Sequence, residues 1–338
     1  MDSKIQNFLE EIKKTNSIEI VADHFFNGTD NFYREEGEMA LAKSYYKDLL
    51  QISIQNFLMD KDYWSFLSCL LSSRDDRAWY YRRQLLLDHK TNYSQEQHIY
   101  HLALTIDPKT SLVYETIRWY LTEFFDLTIL QEELTFLKKI AEKDSSNARL
   151  WSHIVWCMQK IPNSHPFFLL MFDWAKQFIR LHPSNISAFS FLQTFCPSDI
   201  DSIKTLFCEN TLLLFELPGH ETIWTFRRFL LSKLKSNFSS LLIPYQKITK
   251  FSDLQKIKYP SCDISQIKDL SNKISHIFHI SLPMSSISET ESYNNIILEL
   301  SNELDIITLA LSDNSISEFE NQQTIAKKYM KWILYSFL

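Results

Sequence analysis

The chain has 338 residues, of which 45% are hydrophobic, and its formal net charge is −6. This length and hydrophobic share are enough for one large domain or two ordinary domains with a substantial core. The acidic balance lacks the excess of positive charge on which nonspecific binding to nucleic-acid phosphates depends. We therefore expect no nucleic-acid partner for the molecule as a whole.

Glycine is scarce, with only 3 residues in the whole chain, although average usage is about 7%. Tight hairpins between β-strands depend on glycine at their turns, so the composition predicts an all-α protein. The glycines are also far apart in the sequence. This spacing excludes a glycine-rich phosphate-binding loop, which needs several glycines within a few residues.

The cysteines are scattered, without the paired spacing of a zinc knuckle or a disulfide framework. The first residues are charged and lack the apolar stretch of a signal peptide, and no apolar run is long enough to cross a membrane. We expect a cytoplasmic protein with reduced thiols and no transmembrane segment.

Two histidine pairs have the spacing of neighbours on one helix face, His98 with His101 and His276 with His279. Such a pair can hold a metal ion when a further ligand lies close by. No clear third ligand accompanies either pair in the sequence, and neither GxSxG nor HExxH is present. The sequence therefore predicts no metal site and no complete active site in this chain.

In chain order, residues 1–35 are interpreted as an N-terminal cap, and residues 36–235 as a series of helical hairpins. The segments "EGEMALAKSYYKDLLQISIQNFL" and "KDYWSFLSCLLSS" are predicted to form the first helix pair. Residues 236–285 are rich in serine, lysine and proline and break the repeat, so we interpret them as an irregular connecting segment. Two C-terminal helices are predicted within residues 286–338.

An aromatic residue recurs within the hairpin region at spacings of 35, 37, 38 and 35 residues. Self-similarity at such a period is typical of a solenoid, in which each unit buries its apolar face against its neighbours. Each copy opens with a capping or turn sequence and continues with apolar residues at helical spacing. The repeat aromatics are Trp79, Tyr114, Trp151, Phe189 and Trp224.

A second amphipathic segment follows the first helix of four copies, at residues 94–106, 129–143, 167–181 and 198–217. In the second of these segments, Leu134, Leu137, Ile140 and Ala141 form one apolar face. The two helices of each copy are expected to pack as an antiparallel hairpin. The sequence thus predicts a right-handed α-α superhelix, a solenoid of tandem helical hairpins.

Arginine follows the repeat aromatic three or four positions later in three of the copies. An arginine at the third position lies on the same side of the helix as the ring, so its stem can lie along the ring. Its guanidinium is then expected to cap carbonyl groups of the neighbouring hairpin. We interpret the aromatics as core wedges and these arginines as structural: Arg82, Arg83, Arg118, Arg227 and Arg228.

The order of turn, aromatic residue, Arg-Arg or Arg-Trp and then aliphatic residues resembles the protein prenyltransferase alpha-subunit repeat. The resemblance covers residues 70–235, and "LLSSRDDRAWYYRRQLL" and "PGHETIWTFRRFLL" are similar to a divergent, alpha-like branch of that family. It implies a crescent of hairpins wrapped around a beta subunit, which carries the catalytic zinc and the geranylgeranyl diphosphate pocket.

For the divergent branch, the resemblance implies a heterodimer with the Rab geranylgeranyltransferase beta subunit. The assembled enzyme would transfer a geranylgeranyl group to a SNARE that already carries a farnesyl group. This chain would then scaffold the beta subunit and recognise the protein substrate. It would hold no cofactor itself and would be inactive alone.

Family alpha subunits also carry a lysine five residues before the aromatic of the third copy, where its charge offsets that of the diphosphate leaving group. The third copy of this chain has Ser146 at that offset, whereas the second copy has Lys109. If the count of copies is shifted by one, so that the copy with Tyr114 is the third, Lys109 is the catalytic candidate. Otherwise Lys109 is a solvated lysine in the first turn of a helix, and both interpretations stay open.

Two other classes of function compete with the subunit hypothesis. A TPR-like or half-TPR adaptor would assemble protein complexes without catalysis, but such arrays carry small residues and glycine at fixed positions. An RNA-binding protein could use "RDDRAWYYRRQ", which interleaves basic and aromatic residues. Asp75 and Asp76 lie within this segment, and together with the acidic net charge they disfavour RNA binding.

Overall fold

The computed structural model describes residues 3–26, 31–217, 219–237, 325 and 328–329. Helices dominate these residues, which confirms the helical fold class. The helices are α1 Ser3–Ile12, α2 Lys43–Asn56, α3 Lys61–Leu71, α4 Asp76–Leu87, α5 Tyr93–Ile106, α6 Ser111–Glu123, α7 Leu127–Lys143, α8 Ala148–Met158, α9 Pro166–Leu181, α10 Ile186–Thr194, α11 Ile200–Glu216 and α12 Glu221–Asn237. None of the helices within the described ranges is both long and apolar enough to cross a membrane.

One small sheet departs from the all-helical expectation. Its strands are β1 Ser17–Val21, β2 Phe32–Glu35 and β3 Glu38–Ala42, in the order β1-β3-β2. β1 is parallel to β3 and β2 is antiparallel to it. Glu38–Ala42 was predicted to begin a helix, and that prediction is wrong because these residues pair with strands on both sides.

The hairpin between β2 and β3 explains how a chain with so little glycine forms a sheet. Glu35 pairs with Glu38, so the turn contains only Glu36 and Gly37, whose φ angles are 47° and 86°. Positive φ at both positions is the geometry that matches the twist of two antiparallel strands. This single tight hairpin therefore requires only one glycine.

The sheet and α1 pack against the first helices of the chain. Phe8 and Ile12 of α1 and Ile18 of β1 are fully buried, in one cluster with residues of α2, α3 and α5. The Ile18 amide donates to Thr105 Oγ1 of α5 at 3.0 Å. Within residues 1–35, predicted to be an N-terminal cap, β1 packs against α5. The last residue of α1 also contacts α5, since His98 Nε2 bonds Ile12 O at 3.2 Å.

The contacts between helices divide the chain into two compact units, Met1–Asp173 and Trp174–Leu338. In the first unit, many consecutive helices pack together, for example α2 with α3 and α7 with α8. Alternate helices also contact each other, α5 with α7 and α6 with α8. In the second unit, α12 contacts both α10 and α11. Contacts of both kinds are those of hairpins stacked in two layers.

The N-termini of several helices in the hairpins are capped by the side chain of the preceding residue. Asp75, Asn147 and Asn185 each accept a backbone N–H of the helix that they precede. Asn92 forms a reciprocal capping box with Gln95 at the start of α5. The segment 236–285 lies outside the described residues except for its first two positions, as does most of 286–338.

Candidate functional site

The repeat aromatics lie in the core of the stacked helices. Trp79, Tyr114, Trp151, Phe189 and Trp224 are between 0% and 3% exposed. They occupy equivalent positions in α4, α6, α8, α10 and α12. Each ring is therefore enclosed where a first helix meets its neighbours.

Three of these rings also bind the turn that precedes their own helix. In each case the polar atom of the ring donates to the backbone carbonyl six residues upstream. The bonds run from Trp79 Nε1 to Ser73 O at 3.1 Å, from Tyr114 Oη to Pro108 O at 2.8 Å and from Trp151 Nε1 to Ser145 O at 3.4 Å. The aromatic residue thus fixes the turn as well as filling the core.

Successive turns are bonded to each other, and we call residues 73–75, 107–110 and 144–147 the turn ladder. Thr110 Oγ1 donates to Ser73 O at 3.3 Å, and Asn147 Nδ2 donates to Pro108 O at 2.5 Å. The second unit repeats the bond, since Thr222 Oγ1 donates to Pro183 O. The spacing of the repeat in sequence thereby becomes a regular stack of turns in space.

Lys109, the candidate catalytic residue, belongs to this ladder. It lies in the turn before α6, and its Nζ is 3.5 Å from Asp144 Oδ2 of the next turn. Its carbonyl oxygen accepts a hydrogen bond from Arg149. The side chain is 58% exposed, and an ion pair that is this exposed is weak. The ammonium group is therefore accessible to an anion.

Ser146 holds the equivalent place in the next turn of the ladder. Its hydroxyl donates to Asp144 Oδ1 at 3.3 Å, and its side chain is exposed. Lys109 and Ser146 are therefore related by one step of the stack, as their offsets from Tyr114 and Trp151 predict. The assignment of Lys109 to the diphosphate stays a prediction.

The arginines three positions after the aromatic are buried and bonded to side chains. Arg82 Nε donates to Glu96 Oε2 of α5 at 3.0 Å, and both side chains are buried. Arg227 Nη1 donates to Thr211 Oγ1 at 2.9 Å, and its guanidinium lies 4.0 Å from the Phe207 ring centroid. Arg82 was expected to cap carbonyls, but it pairs with a carboxylate because Glu96 has no access to water.

The arginines four positions after the aromatic in the first two copies contact tryptophan rings. Arg83 lies over the Trp119 ring at 5.6 Å, and Arg118 lies over the Trp156 ring at 5.7 Å. Each arginine thus stacks on a tryptophan of the next first helix, and all four side chains are half-buried. We call Arg83, Trp119, Arg118 and Trp156 the arginine–tryptophan stripe.

Sequence reasoning missed this stripe, although it left a signal. Trp119 and Trp156 each follow a repeat aromatic by five positions. An arginine at the fourth position of one copy and a tryptophan at the fifth position of the next are about one period apart in sequence. Only the stacking of the first helices brings the two side chains together.

A buried carboxylate lies between α5, α7 and α8. Glu133 Oε2 is 2.9 Å from His101 Nε2, and Glu133 Oε1 is 3.9 Å from His153 Nε2. Arg118 Nε donates to His153 Nδ1 at 3.3 Å, so the neutral His153 ring carries its proton on Nε2. A polar path therefore connects the half-buried Arg118 with the fully buried Glu133.

Burial and the neighbouring charged groups shift the pKa values of Glu133 and His153 in opposite directions. Burial alone would raise the pKa of Glu133, but His101 and His153 outweigh it and lower that pKa to about 2. Burial lowers the pKa of His153 more than Glu133 raises it. Glu133 is thus a stable buried anion.

The predicted histidine pair on α5 does not converge on one point. His98 Nε2 bonds Ile12 O at 3.2 Å, whereas His101 faces Glu133. Within the described ranges, no group of three or more His, Cys, Asp or Glu side chains is arranged to hold a metal ion. The other pair, His276 and His279, lies outside the described residues.

Comparisons with known proteins match this repeat. A family model described as the protein prenyltransferase alpha subunit repeat matches residues 130–161, which include most of α7, with Glu133, and all of α8, with Trp151. The human protein prenyltransferase alpha subunit repeat-containing protein 1 is 26% identical over 146 residues. The match covers 37% of this chain and 36% of that protein, so it spans about a third of the relative's length. Residues 130–161 thus match the protein prenyltransferase alpha subunit repeat, and about a third of this chain is similar to a human protein that contains that repeat.

Proposed function

We propose that this chain is an alpha-like subunit of a protein prenyltransferase, which scaffolds a catalytic beta subunit and recognises the protein substrate. The observation that carries the proposal is the turn ladder with its buried aromatics. The turns and their aromatic residues recur at the period of the family repeat. The family match covers most of α7 and all of α8, the two helices that flank the last turn of the ladder. An array of this kind offers a long surface on which a second protein can bind.

The finer proposal is a geranylgeranyltransferase that operates in the cytoplasm. Its beta subunit would be that of Rab geranylgeranyltransferase, and its substrate would be a SNARE that already carries a farnesyl group. Zinc and geranylgeranyl diphosphate would be held by the beta subunit. Zinc would supply the activation of the substrate thiol there, and this chain would contribute no metal ligand.

Lys109 is the residue of this chain that we propose to face the diphosphate. A fixed cation stabilises the negative charge that develops on a leaving oxygen, and the ammonium of Lys109 is accessible to an anion. Asp144 would position the side chain in the free subunit and release it when the diphosphate is bound. The role of Lys109 would be electrostatic, with no bond formed to it.

A transfer assay tests the function and the role of Lys109 separately. The chain is co-expressed with the Rab geranylgeranyltransferase beta subunit, and transfer from geranylgeranyl diphosphate to a farnesylated SNARE is measured. We expect transfer by the complex and none by the chain alone. A folded chain that supports no transfer and binds no beta subunit would contradict the proposal and favour a protein-assembling adaptor.

The variant Lys109→Ala is expected to lower kcat by about 100-fold in an intact complex, which is the usual loss for one such donor. Lys90→Ala is its matched control, because Lys90 is 61% exposed and lies 3.5 Å from Asp88 Oδ2. It is expected to leave kcat unchanged. An unchanged kcat in Lys109→Ala would remove Lys109 from the reaction and leave the subunit assignment in place.

A further inference from the structure

One face of α4 continues the arginine–tryptophan stripe into solvent. Tyr80, Arg83 and Leu87 follow one another at steps of three and four residues, so they share a face of the helix. Tyr80 is 59% exposed and Leu87 is 45% exposed. Together with Trp119 of α6 and Trp156 of α8, these residues form what we call the first-helix face.

Arg83 is the residue of this face that indicates a missing partner. Its Nε is buried and has no hydrogen-bond acceptor among the described residues. No described carboxylate pairs with it either, and its contact is with the Trp119 ring. The adjacent Arg82, by contrast, is fully paired with Glu96. Among the described residues, one of two neighbouring guanidinium groups is therefore fully paired, and the Nε of the other has no acceptor.

An unpaired and half-buried guanidinium is unfavourable, because water no longer solvates it fully and no acceptor replaces that water. A carboxylate from another protein would restore the missing interaction through two parallel hydrogen bonds from the planar group. Because the Nε is covered, the carboxylate would bind the terminal Nη nitrogens. The Trp119 ring already holds the guanidinium in place for that contact.

The composition of the face is that of a binding surface. Tyrosine, tryptophan and arginine are the residues that dominate the binding energy of protein interfaces. Arg83, Arg118 and Lys160 add positive charge along the face, and Lys160 lies 4.4 Å from the Trp156 ring centroid. The rest of the chain is net acidic. The local charge therefore favours an acidic partner, and the acidic total disfavours a nucleic acid.

We propose that the first-helix face binds an acidic patch on the catalytic subunit, with a carboxylate of that subunit paired to Arg83. This inference rests on the proposed function and names the surface through which it is carried out. It assigns the interface to the first helices α4, α6 and α8 of the first unit. A nucleic acid or a second copy of this chain on the same face would overturn it.

Site-specific photo-crosslinking in the assembled heterodimer tests the location of the interface. A benzophenone amino acid replaces Tyr80 in one variant and Tyr33 of β2 in the control variant. The two tyrosines are matched, since they are 59% and 58% exposed. We expect a crosslink from position 80 to an acidic segment of the catalytic subunit and none from position 33.

Charge variants test the chemistry of the contact. We expect Arg83→Gln to raise the Kd for the catalytic subunit at least 10-fold, and Arg83→Glu to raise it at least 100-fold. Arg180→Gln is the control, because Arg180 pairs with Glu216 in the second unit, and it should leave the Kd unchanged. Glu115 is exposed one turn before Trp119, so Glu115→Gln is expected to strengthen binding by removing a like charge. Circular dichroism and thermal unfolding verify that each variant is folded.

The outcomes separate this inference from the proposed function. A heterodimer that forms with unchanged affinity in Arg83→Glu and gives no crosslink from position 80 would overturn the first-helix face and leave the subunit assignment standing. A crosslink to a second copy, or RNA binding that Arg83→Glu abolishes, would also overturn it. A folded wild-type chain that binds no catalytic subunit would overturn both proposals together.

Discussion

Two adjacent arginines, Arg82 and Arg83, show how one residue type serves two purposes in a single helix turn. Arg82 pairs with Glu96 in the core, and Tyr120 Oη also donates to Glu96 Oε2 at 3.4 Å. Arg83 faces outwards over Trp119. The first is expected to govern folding and the second binding, so their variants should have separable effects.

The variant Arg82→Leu is expected to lower the free energy of unfolding by about 3–5 kcal/mol, because it leaves the Glu96 carboxylate buried and uncompensated. The double variant Arg82→Leu/Glu96→Leu should recover most of that loss. Urea unfolding measures both. Arg74→Leu is the surface control, since Arg74 is 77% exposed beside Asp107, and it should change stability by less than about 1 kcal/mol. Equal effects of Arg82→Leu and Arg74→Leu would contradict the buried pair.

The buried Glu133 and His153 predict how stability depends on pH. The unfolded chain protonates His153 more readily than the folded chain does, because burial lowers its pKa. Stability is therefore expected to decline as the pH falls through the ordinary histidine range. Glu133 has a pKa of about 2 in the folded state, against an ordinary value of 4.5. Protonation of Glu133 should therefore cause a second decline in the free energy of unfolding as the pH falls from about 4.5 towards 2.

Urea unfolding at a series of pH values between 7 and 3 measures both declines. Glu133→Gln is expected to be less stable at pH 7 and to show a shallower decline below pH 4.5, because the titrating carboxylate is gone. A decline below pH 4.5 that is as steep in Glu133→Gln as in the wild type would assign it to other carboxylates.

At the scale of elements, the α12 helix gains a partner from the C-terminal end of the chain. Tyr329 is fully buried with its ring centroid 4.9 Å from that of Trp224, and Arg228 lies 6.0 Å from the Tyr329 centroid. Lys328 lies 3.6 Å from Glu221. Residues 325 and 328–329 are helical, in the part of the chain where C-terminal helices were predicted.

We expect Tyr329→Ala to lower the free energy of unfolding by about 3–5 kcal/mol, the usual loss for removing a large buried side chain. Amide hydrogen exchange should show faster exchange in α12. Lys328→Ala is the neighbouring control and should have an effect below about 1 kcal/mol, because its ion pair is exposed. Unchanged exchange in α12 of Tyr329→Ala would show that this contact does not stabilise the helix.

The sequence predicted the second helices well, because they carry a clear apolar face. The segments 94–106, 129–143, 167–181 and 198–217 correspond to α5, α7, α9 and α11 to within two residues at each end. The sheet was missed because glycine scarcity seemed to exclude hairpins. Its one tight turn uses Gly37, and Glu36 supplies the other positive φ without glycine.

The functional contacts were harder to predict than the helices. The spacing of the aromatics was visible in the sequence, so Trp79 and Trp151 could be placed in the core. The partners of Glu133, Arg83 and Arg118 lie roughly 20 to 40 residues away in sequence. Pairing at that distance depends on how the hairpins stack, which local patterns do not encode.

At the largest scale, the repeats of the first unit combine a bonded row of turns with a more open helix face. The turn ladder joins successive hairpins within the first unit, and the first-helix face carries an arginine without an acceptor among the described residues. Lys109 belongs to the ladder and Arg83 to the face. We therefore expect the diphosphate contact and the partner contact to be separable by substitution.

The central claim is that this chain is one subunit of a heterodimer. The most direct test is the mass of the species that elutes when the full chain is co-expressed with the Rab geranylgeranyltransferase beta subunit, measured by light scattering during size-exclusion chromatography. We predict a single species with the summed mass of one copy of each chain. Separate elution of a folded chain at its own mass of 40.2 kDa would contradict the claim.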